Sequence, residues 1–189
     1  ALGEKLAAKL TDQIRPAVLH AASNFANARL ALALGQRYGL PVVYEVRGFW
    51  EDTWLSRHPD GASLASSELY QRSRALETEC MLAADLVVTL GEAMREEIEA
   101  RGVPATQILI VPNAVSEDFL TPLPEPPDAG GLRAELGIAP DEYVVGEVTS
   151  LVPHEGIGTL LEAVALLRAR GVPARALIVG DGPERAALQ

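Results

Sequence analysis

One segment, residues 143–183, constrains the fold more than any other; it reads YVVGEVTSLVPHEGIGTLLEAVALLRARGVPARALIVGDGP. An apolar run over 143–150 predicts a strand, and the Gly-containing loop after it leads into a helical pattern. The apolar positions of that helix share one face: Ile157, Leu160, Leu161, Val164 and Leu167. A second apolar run, ALIV, and a second Gly-containing turn follow. This order predicts a β-α-β unit with parallel strands, because a helical crossover joins such strands.

The preceding residues show the same alternation. Short apolar runs alternate with longer helical patterns, and this order predicts a mostly parallel sheet with helical crossovers. The predicted helices are 3–14, 24–38, 62–83 and 92–101, and the predicted strands are 17–22, 41–46, 85–90 and 107–112. The stretch RGFWEDTWLSRHPDG, which begins at Arg47, is predicted to be irregular. The fold class is therefore α/β.

Residues 116–141 interrupt the alternation and predict a linker. They are rich in residues that break regular structure, namely Pro122, Pro124, Pro126, Pro127, Pro140, Gly130 and Gly131. One short helix is predicted within them, at 131–136. The sequence thus predicts an N-terminal domain over 1–115, the linker, and the first part of a C-terminal domain over 142–189.

The motif RGVPA occurs before the last strand of each block, at 101–105 and 170–174. In both copies the glycine, Gly102 or Gly171, suits the left-handed residue that ends a helix, and a proline two residues later blocks its continuation. An internal repeat and a shared helix-stop rule both explain the motif.

Composition limits the classes of function. The chain has 189 residues, 48% of them hydrophobic, and a net charge of −10. That charge argues against nucleic acid and anionic membranes as general partners. The lone cysteine, Cys80, fits a reducing compartment and is predicted to be a buried structural thiol. No stretch approaches the roughly 20 apolar residues of a membrane span.

Two glycine-containing turns follow strands of the C-terminal block. Gly156 and Gly158 stand at a predicted helix start, where backbone N–H groups bind phosphate. In the second turn Gly180 and Gly182 precede Pro183, which suits a first helical position. Ordinary strand-to-helix connections explain both turns equally well. His154 adjoins the first turn and is either a ligand contact or a solvated side chain.

The segment EVRGFWED, at 45–52, combines charged and aromatic side chains at the end of a predicted strand. Ligands bind at the carboxyl ends of parallel strands, and this mixture suits a carbohydrate. His20 ends the first strand at the same edge, and Asn113 follows the last strand of the block. The alternatives are a surface loop with one buried Trp, a buried neutral His20, and a turn at Asn113.

In order along the chain, HAASNFAN, VVYEVRGFWED, LVVTLGEAMREEI, VPNAV, VGEVTSLVPHEGI and LIVGDGPER resemble the family 4 glycosyltransferases of the GT-B fold. The resemblance implies two Rossmann-like domains with parallel sheets. It also implies transfer of a sugar from a nucleotide-sugar donor to an acceptor, with retention of configuration and without a cofactor or required metal.

The resemblance also implies roles for individual residues. The predicted donor-binding residues are Ser150, Pro153, His154, Glu155, Gly156, Gly180, Asp181, Gly182, Pro183 and Asn113. The predicted acceptor-side residues are His20, Gly48, Phe49, Trp50, Glu51 and Asp52. Arg47 stands where many relatives have a catalytic histidine, and we expect it to stabilise the departing phosphate.

Two departures from the family pattern concern the diphosphate. Many relatives carry Arg in place of Ser150 and Lys in place of Glu155, and this chain has neither charge. The family's first Gly-rich loop and its later E-x7-E segment fall outside the sequence. We therefore expect a central fragment that lacks both ends and is inactive alone.

Three functions remain open at this point: a glycosyltransferase, a sugar-nucleotide epimerase of the same fold, and a non-catalytic nucleotide-binding remnant. The donor, and a glycan, lipid or small-molecule acceptor, are the expected partners. The acidic helix at 91–102 lacks a basic amphipathic face. The expected location is therefore cytoplasmic, with peripheral attachment to the membrane left open.

Overall fold

A computed structural model describes residues 2–58, 60–121 and 129–188. The chain divides into two compact units, Ala1–Ala114 and Val115–Gln189. The prolines at 122–127 lie outside the described residues, so the predicted linker is described only at its two ends.

Unit 1 is a four-stranded parallel sheet with helical crossovers, as the alternation predicts. The strands lie in the order β1-β2-β3-β4, and all neighbouring pairs are parallel. The strands are β1 Leu19–Ala22, β2 Val42–Val46, β3 Leu86–Thr89 and β4 Ile108–Ile110. The helices are α1 Leu2–Ile14, α2 Phe25–Tyr38, α3 Trp50–Ser56, α4 Gly61–Leu64, α5 Glu68–Ala83 and α6 Glu92–Ala100.

The core of unit 1 lies between the sheet and its helices. Tyr44 and Val46 alternate inward along β2 and are almost fully buried, and they pack with Met81 of α5 and Ile98 of α6. Gly35 of α2 has no room for a side chain, because a Cβ there would collide with Val42 and the Leu40 carbonyl. A glycine at this position therefore allows close contact between α2 and β2.

The prediction that the stretch after β2 is irregular is wrong in part, because residues 50–56 form helix α3. The predicted helix 62–83 is two helices. Ser67 is extended and separates them, and its side chain caps α5 by accepting from the Tyr70 N–H at 3.3 Å. A serine in this conformation satisfies one of the free N–H groups of the new helix, so α5 begins there.

Unit 2 contains the β-α-β element that the sequence predicts at 143–183. Strands β5 Tyr143–Val148 and β6 Ala174–Val179 are parallel and joined through α8 Ile157–Ala169. Two short helices flank it, α7 Ala129–Glu135 and α9 Arg185–Leu188. The buried apolar residues are Ile138, Leu151, Ile157, Val164 and Ala174.

The two RGVPA motifs have the same conformation at their glycines. Gly102 has φ +98° and Gly171 has φ +81°. Each directly follows the C-capping arginine of its helix, Arg101 or Arg170, which confirms the predicted helix stop. A side chain at either position would be strained.

Candidate functional site

Three ionisable side chains meet at the carboxyl ends of β1 and β2. Glu45 lies between the other two: its Oε2 is 2.9 Å from His20 Nε2, and its Oε1 is 3.8 Å from Arg47 Nε. The side chains of His20 and Arg47 are 51% and 55% exposed, whereas that of Glu45 is 25% exposed. Both nitrogen groups are therefore open to solvent, and each lies within 4 Å of a Glu45 carboxylate oxygen.

Ser23 fixes the backbone around this cluster. Its hydroxyl accepts from the Arg47 N–H at 2.9 Å and donates to the Glu45 carbonyl at 3.2 Å. These bonds join the end of β1 to the end of β2. An open groove of about 430 Å³ borders the cluster, and His20, Ser23, Asn27 and Arg47 are among its lining residues.

The predicted acceptor-side residues of 48–52 do not form one surface. Trp50 is half exposed, and exposed Asp52 accepts from the Tyr70 hydroxyl at 2.8 Å. Gly48 is partly exposed at the turn before α3. Glu51 and Phe49 instead face the interior of unit 1.

Glu51, a predicted acceptor-side residue, belongs to a buried ion pair and not to the exposed surface. Its Oε1 accepts from Arg101 Nη1 at 2.6 Å, and the exposed fractions of the two side chains are 0% and 2%. The Arg101 guanidinium also lies 4.0 Å from the centre of the Phe49 ring and bonds Glu97 at 2.9 Å. This pair holds α3 against the end of α6.

A second buried carboxylate, Glu77 of α5, lies near the start of α2. Its Oε1 accepts from the Phe25 N–H at 2.8 Å, and its Oε2 accepts from the Tyr44 hydroxyl. Burial raises the pKa of Glu77, although these two hydrogen bonds oppose the change. Neither Glu77 nor Arg101 is predicted as a site residue from the sequence, where each is one of many charged residues in a predicted helix.

In unit 2, the first predicted phosphate turn leads directly into α8. Ser150 is exposed, and Pro153–Glu155 form one 3₁₀ turn. Gly156 follows with φ +72°, and no side chain caps the helix after it. The first N–H groups of α8 therefore lack the usual side-chain acceptor. A Cβ at Gly158 would meet open space.

The second turn packs against the first through backbone contacts. The Leu151 N–H donates to the Asp181 carbonyl at 3.0 Å, and the Gly182 N–H donates to the Asp181 side chain at 2.9 Å. A Cβ at Gly180 or Gly182 would collide with the carbonyl of Thr149 or Leu151. Close packing thus accounts for both glycines without a ligand.

Three further predicted positions lie at turns or exposed sites. Pro183 belongs to the turn rather than to the first helical position, since α9 begins at Arg185. Asn113 is exposed beyond β4 and belongs to unit 1. His154 Nε2 lies 3.9 Å from Glu155 Oε1.

Cys80 is buried, as predicted, with 3% of its surface exposed. Among the described residues, no group of three or more His, Cys, Asp or Glu side chains is placed to hold a metal ion. None of the described helices is long and apolar enough to cross a membrane.

The solved structures that this chain is similar to include three complexes of HepE from Anabaena. The structure in complex with UDP matches with a TM-score of 0.71 at 18% identity, covering 95% of this chain and 43% of that one. The complex with UDP-glucose gives 0.68 at 20%, covering 94% and 43%. The complex with UDP and glucose gives 0.66 at 21%, with the same coverage.

At these identities the likeness shows the fold alone. It confirms the predicted α/β fold of the GT-B type, with parallel sheets, over the matched part. The chain spans less than half of the length of the structures it matches. No curated protein matches its sequence.

A family model described as a glycosyl transferase 4-like domain matches residues 3–114. These residues are more than half of the 189 in the chain and include the cluster around Glu45. The chain therefore belongs to the glycosyl transferase 4-like domain family.

Proposed function

We propose that this chain contributes to a glycosyltransferase that moves a sugar from a nucleotide-sugar donor to an acceptor, with retention of configuration and without a required metal. The observation that carries the proposal is the family match over 3–114. The structural likeness to a protein solved with UDP and with UDP-glucose supports a uridine nucleotide as donor.

On the donor side, we place the diphosphate at the start of α8. The helix has no capping side chain and no acidic residue in its first turn, so its N–H groups and dipole favour an anion. The open space at Gly158 lets an anion approach the backbone. Ser150 and Gly156 flank the same turn, and Gly180–Pro183 packs against it.

Glu155 places a negative charge beside the proposed diphosphate site. Its carboxylate stands one residue before Gly156, where a negative charge opposes phosphate binding. The side chain is 39% exposed and His154 lies nearby. Solvent screens the repulsion, and the backbone donors of α8 supply the attraction.

On the acceptor side, we assign Arg47 to the departing phosphate and His20 to contact with substrate. Arg47 is more than half exposed, and its backbone is fixed by Ser23. A guanidinium stabilises charge that develops on a leaving group by charge-assisted hydrogen bonds. In a complete enzyme that contains this chain, replacement of Arg47 by Ala should lower transfer at least tenfold; near-normal turnover would exclude this role.

Titration of the isotope-labelled chain with UDP tests the donor side directly. We expect amide shifts at Ile157, Gly158 and Thr159, and we expect Gly158→Asp to weaken binding at least tenfold, because it adds a carboxylate beside the phosphate site. Ala165→Asp adds the same charge to an exposed position of the same helix and should change binding less than twofold. Saturating UDP that leaves these amides unshifted would refute the assignment.

We also place the protein in the cytosol. The lone thiol of Cys80 remains unpaired in the structure, and unpaired buried thiols are usual in reducing compartments.

A further inference from the structure

A cavity of about 200 Å³ lies between α3, α5 and the start of α2. Because α2 follows the carboxyl end of β1 and α3 follows that of β2, the cavity lies at the same sheet edge as the candidate site. It adjoins the groove beside Arg47, since Asn24 lines the cavity and Ser23 lines the groove. Its apolar wall is formed by Phe25, Trp50, Trp54, Leu69 and the ring of Tyr70.

The two carboxylates that border the cavity are engaged within the protein. Glu51 is paired with Arg101, and its side chain has no exposed surface. Both oxygens of Glu77 accept hydrogen bonds, one from the Phe25 N–H and one from the Tyr44 hydroxyl. Neither carboxylate is therefore available to a ligand in the cavity.

Other polar groups of the lining are also occupied. The Tyr70 hydroxyl donates to Asp52 at 2.8 Å, and the side-chain oxygen of Asn24 accepts from the Ala26 N–H at 3.1 Å. Ser73 adds one hydroxyl, which is too few for a ligand with several polar groups. Polar groups buried without partners cost free energy, whereas an apolar group gains by leaving water. The lining therefore selects for apolar ligands.

The size of the cavity fits one ring or a short chain. An apolar cavity of about 150 Å³ holds a benzene molecule, so this one, at about 200 Å³, accommodates roughly six to eight carbon atoms. Trp50 and Leu69 are 51% and 58% exposed. They border both the cavity and solvent, so a longer alkyl chain would continue over them.

We propose that this cavity binds an apolar group, a ring or an alkyl segment of about six to eight carbon atoms, packed against the two tryptophans. In the proposed glycosyltransferase this group belongs to the acceptor, and that assignment alone rests on the proposed function. Binding of the apolar group itself does not depend on it.

Tryptophan fluorescence tests the proposal with the full chain, because both of its tryptophans line the cavity. The probes are cyclohexanol, 1-hexanol and myo-inositol, which has the carbon ring of cyclohexanol with a hydroxyl on every carbon. We expect saturable binding of an alcohol with Kd on the order of 1 mM, and binding of myo-inositol at least about tenfold weaker. Tighter binding of cyclohexanol identifies a ring, and tighter binding of 1-hexanol identifies an alkyl chain. Binding of neither alcohol, or equal binding of myo-inositol, would overturn the proposal.

Two matched pairs of variants on α5 locate the site. Ser73→Leu fills the cavity and should weaken alcohol binding at least about tenfold, whereas Ala75→Leu adds bulk at an exposed position outside the lining. Leu69→Ala should weaken binding about threefold, whereas Leu82→Ala removes the same side chain from a position of similar exposure outside the lining. Circular dichroism and urea midpoints show whether all four variants are folded. Equal effects within the Leu69 and Leu82 pair would overturn the proposal.

Hexyl glucoside tests the assignment to an acceptor, because its tail fits the cavity and its sugar would lie in the neighbouring groove. His20→Ala removes a side chain of that groove, so it should weaken hexyl glucoside binding about threefold and leave 1-hexanol binding unchanged. Equal effects on the two probes would remove the assignment to an acceptor.

UDP is titrated in parallel on the same chain. Binding of UDP without binding of either alcohol would overturn the cavity proposal alone. Binding of an alcohol without UDP would support the cavity and remove the donor assignment.

Discussion

Replacement of Arg101 by Leu is the sharpest test of how unit 1 is held together. Arg101 connects the end of α6 to α3 through Glu51, and its guanidinium covers the Phe49 ring. The substitution retains apolar bulk over that ring but removes the positive charge. Glu51 then has no exposed surface and no opposite charge beside it.

The two partners of Arg101 contribute unequally to the expected loss. Glu97 is 38% exposed, so water replaces Arg101 there and the loss is within about 1 kcal/mol. Glu51 is fully buried, and breaking one side of a buried pair costs about 3–5 kcal/mol. The loss expected at Glu51 is therefore a large fraction of the free energy of unfolding of a typical domain, which is roughly 5–15 kcal/mol.

Urea unfolding followed by circular dichroism measures this loss. Arg95→Leu is the matched control, because Arg95 is on the same helix and pairs with Glu99 at 2.8 Å but is 35% exposed; we expect a loss of at most about 1 kcal/mol. The double variant Glu51→Leu/Arg101→Leu removes both buried charges and should be more stable than Arg101→Leu alone. Equal losses from Arg101→Leu and Arg95→Leu would refute the reasoning.

Three further predictions concern single side chains. Burial raises the pKa of Glu77 above its ordinary 4.5, so the folded state retains a proton that the unfolded state loses, and stability falls as pH rises above about 4.5. Glu77→Gln should flatten this dependence in urea unfolding between pH 4.5 and 7; parallel profiles would contradict it. Gly180→Ala should destabilise unit 2, because its Cβ meets the Thr149 carbonyl. Gly158→Ala should be neutral or stabilising, since its Cβ meets open space. Calorimetry on both variants measures these changes in stability. Burial raises the pKa of the Cys80 thiol to about 11, so a thiol reagent should label it only as fast as the chain unfolds, and rapid labelling in native buffer would contradict its burial.

The sequence predicts the alternating elements well because their signal is local. Apolar runs, helix-stop glycines and the RGVPA motif all act within a few residues, and Gly102 and Gly171 adopt the expected positive φ. Helix α3 carries no such signal. It is short, has no side-chain cap, and is held by Arg101, which lies fifty positions after Glu51 in the chain.

At the candidate site, too, the sequence predicts what depends on strand order but not what depends on tertiary packing. Parallel strand order brings His20 of β1 beside Glu45 of β2, and the prediction that both strand ends meet at one edge anticipates this. The inward direction of Glu51 does not follow from its position beside Trp50. It depends on which face of α3 meets the rest of unit 1, and only tertiary packing decides that face.

The turns of unit 2 show where a motif supports two explanations. A GxG sequence is expected both where a phosphate approaches the backbone and where two chain segments pack closely. At Gly180 and Gly182 the carbonyls of Thr149 and Leu151 fill the space that a side chain would need. At Gly158 that space is open. Of the three glycines, Gly158 therefore carries the case for an anion site.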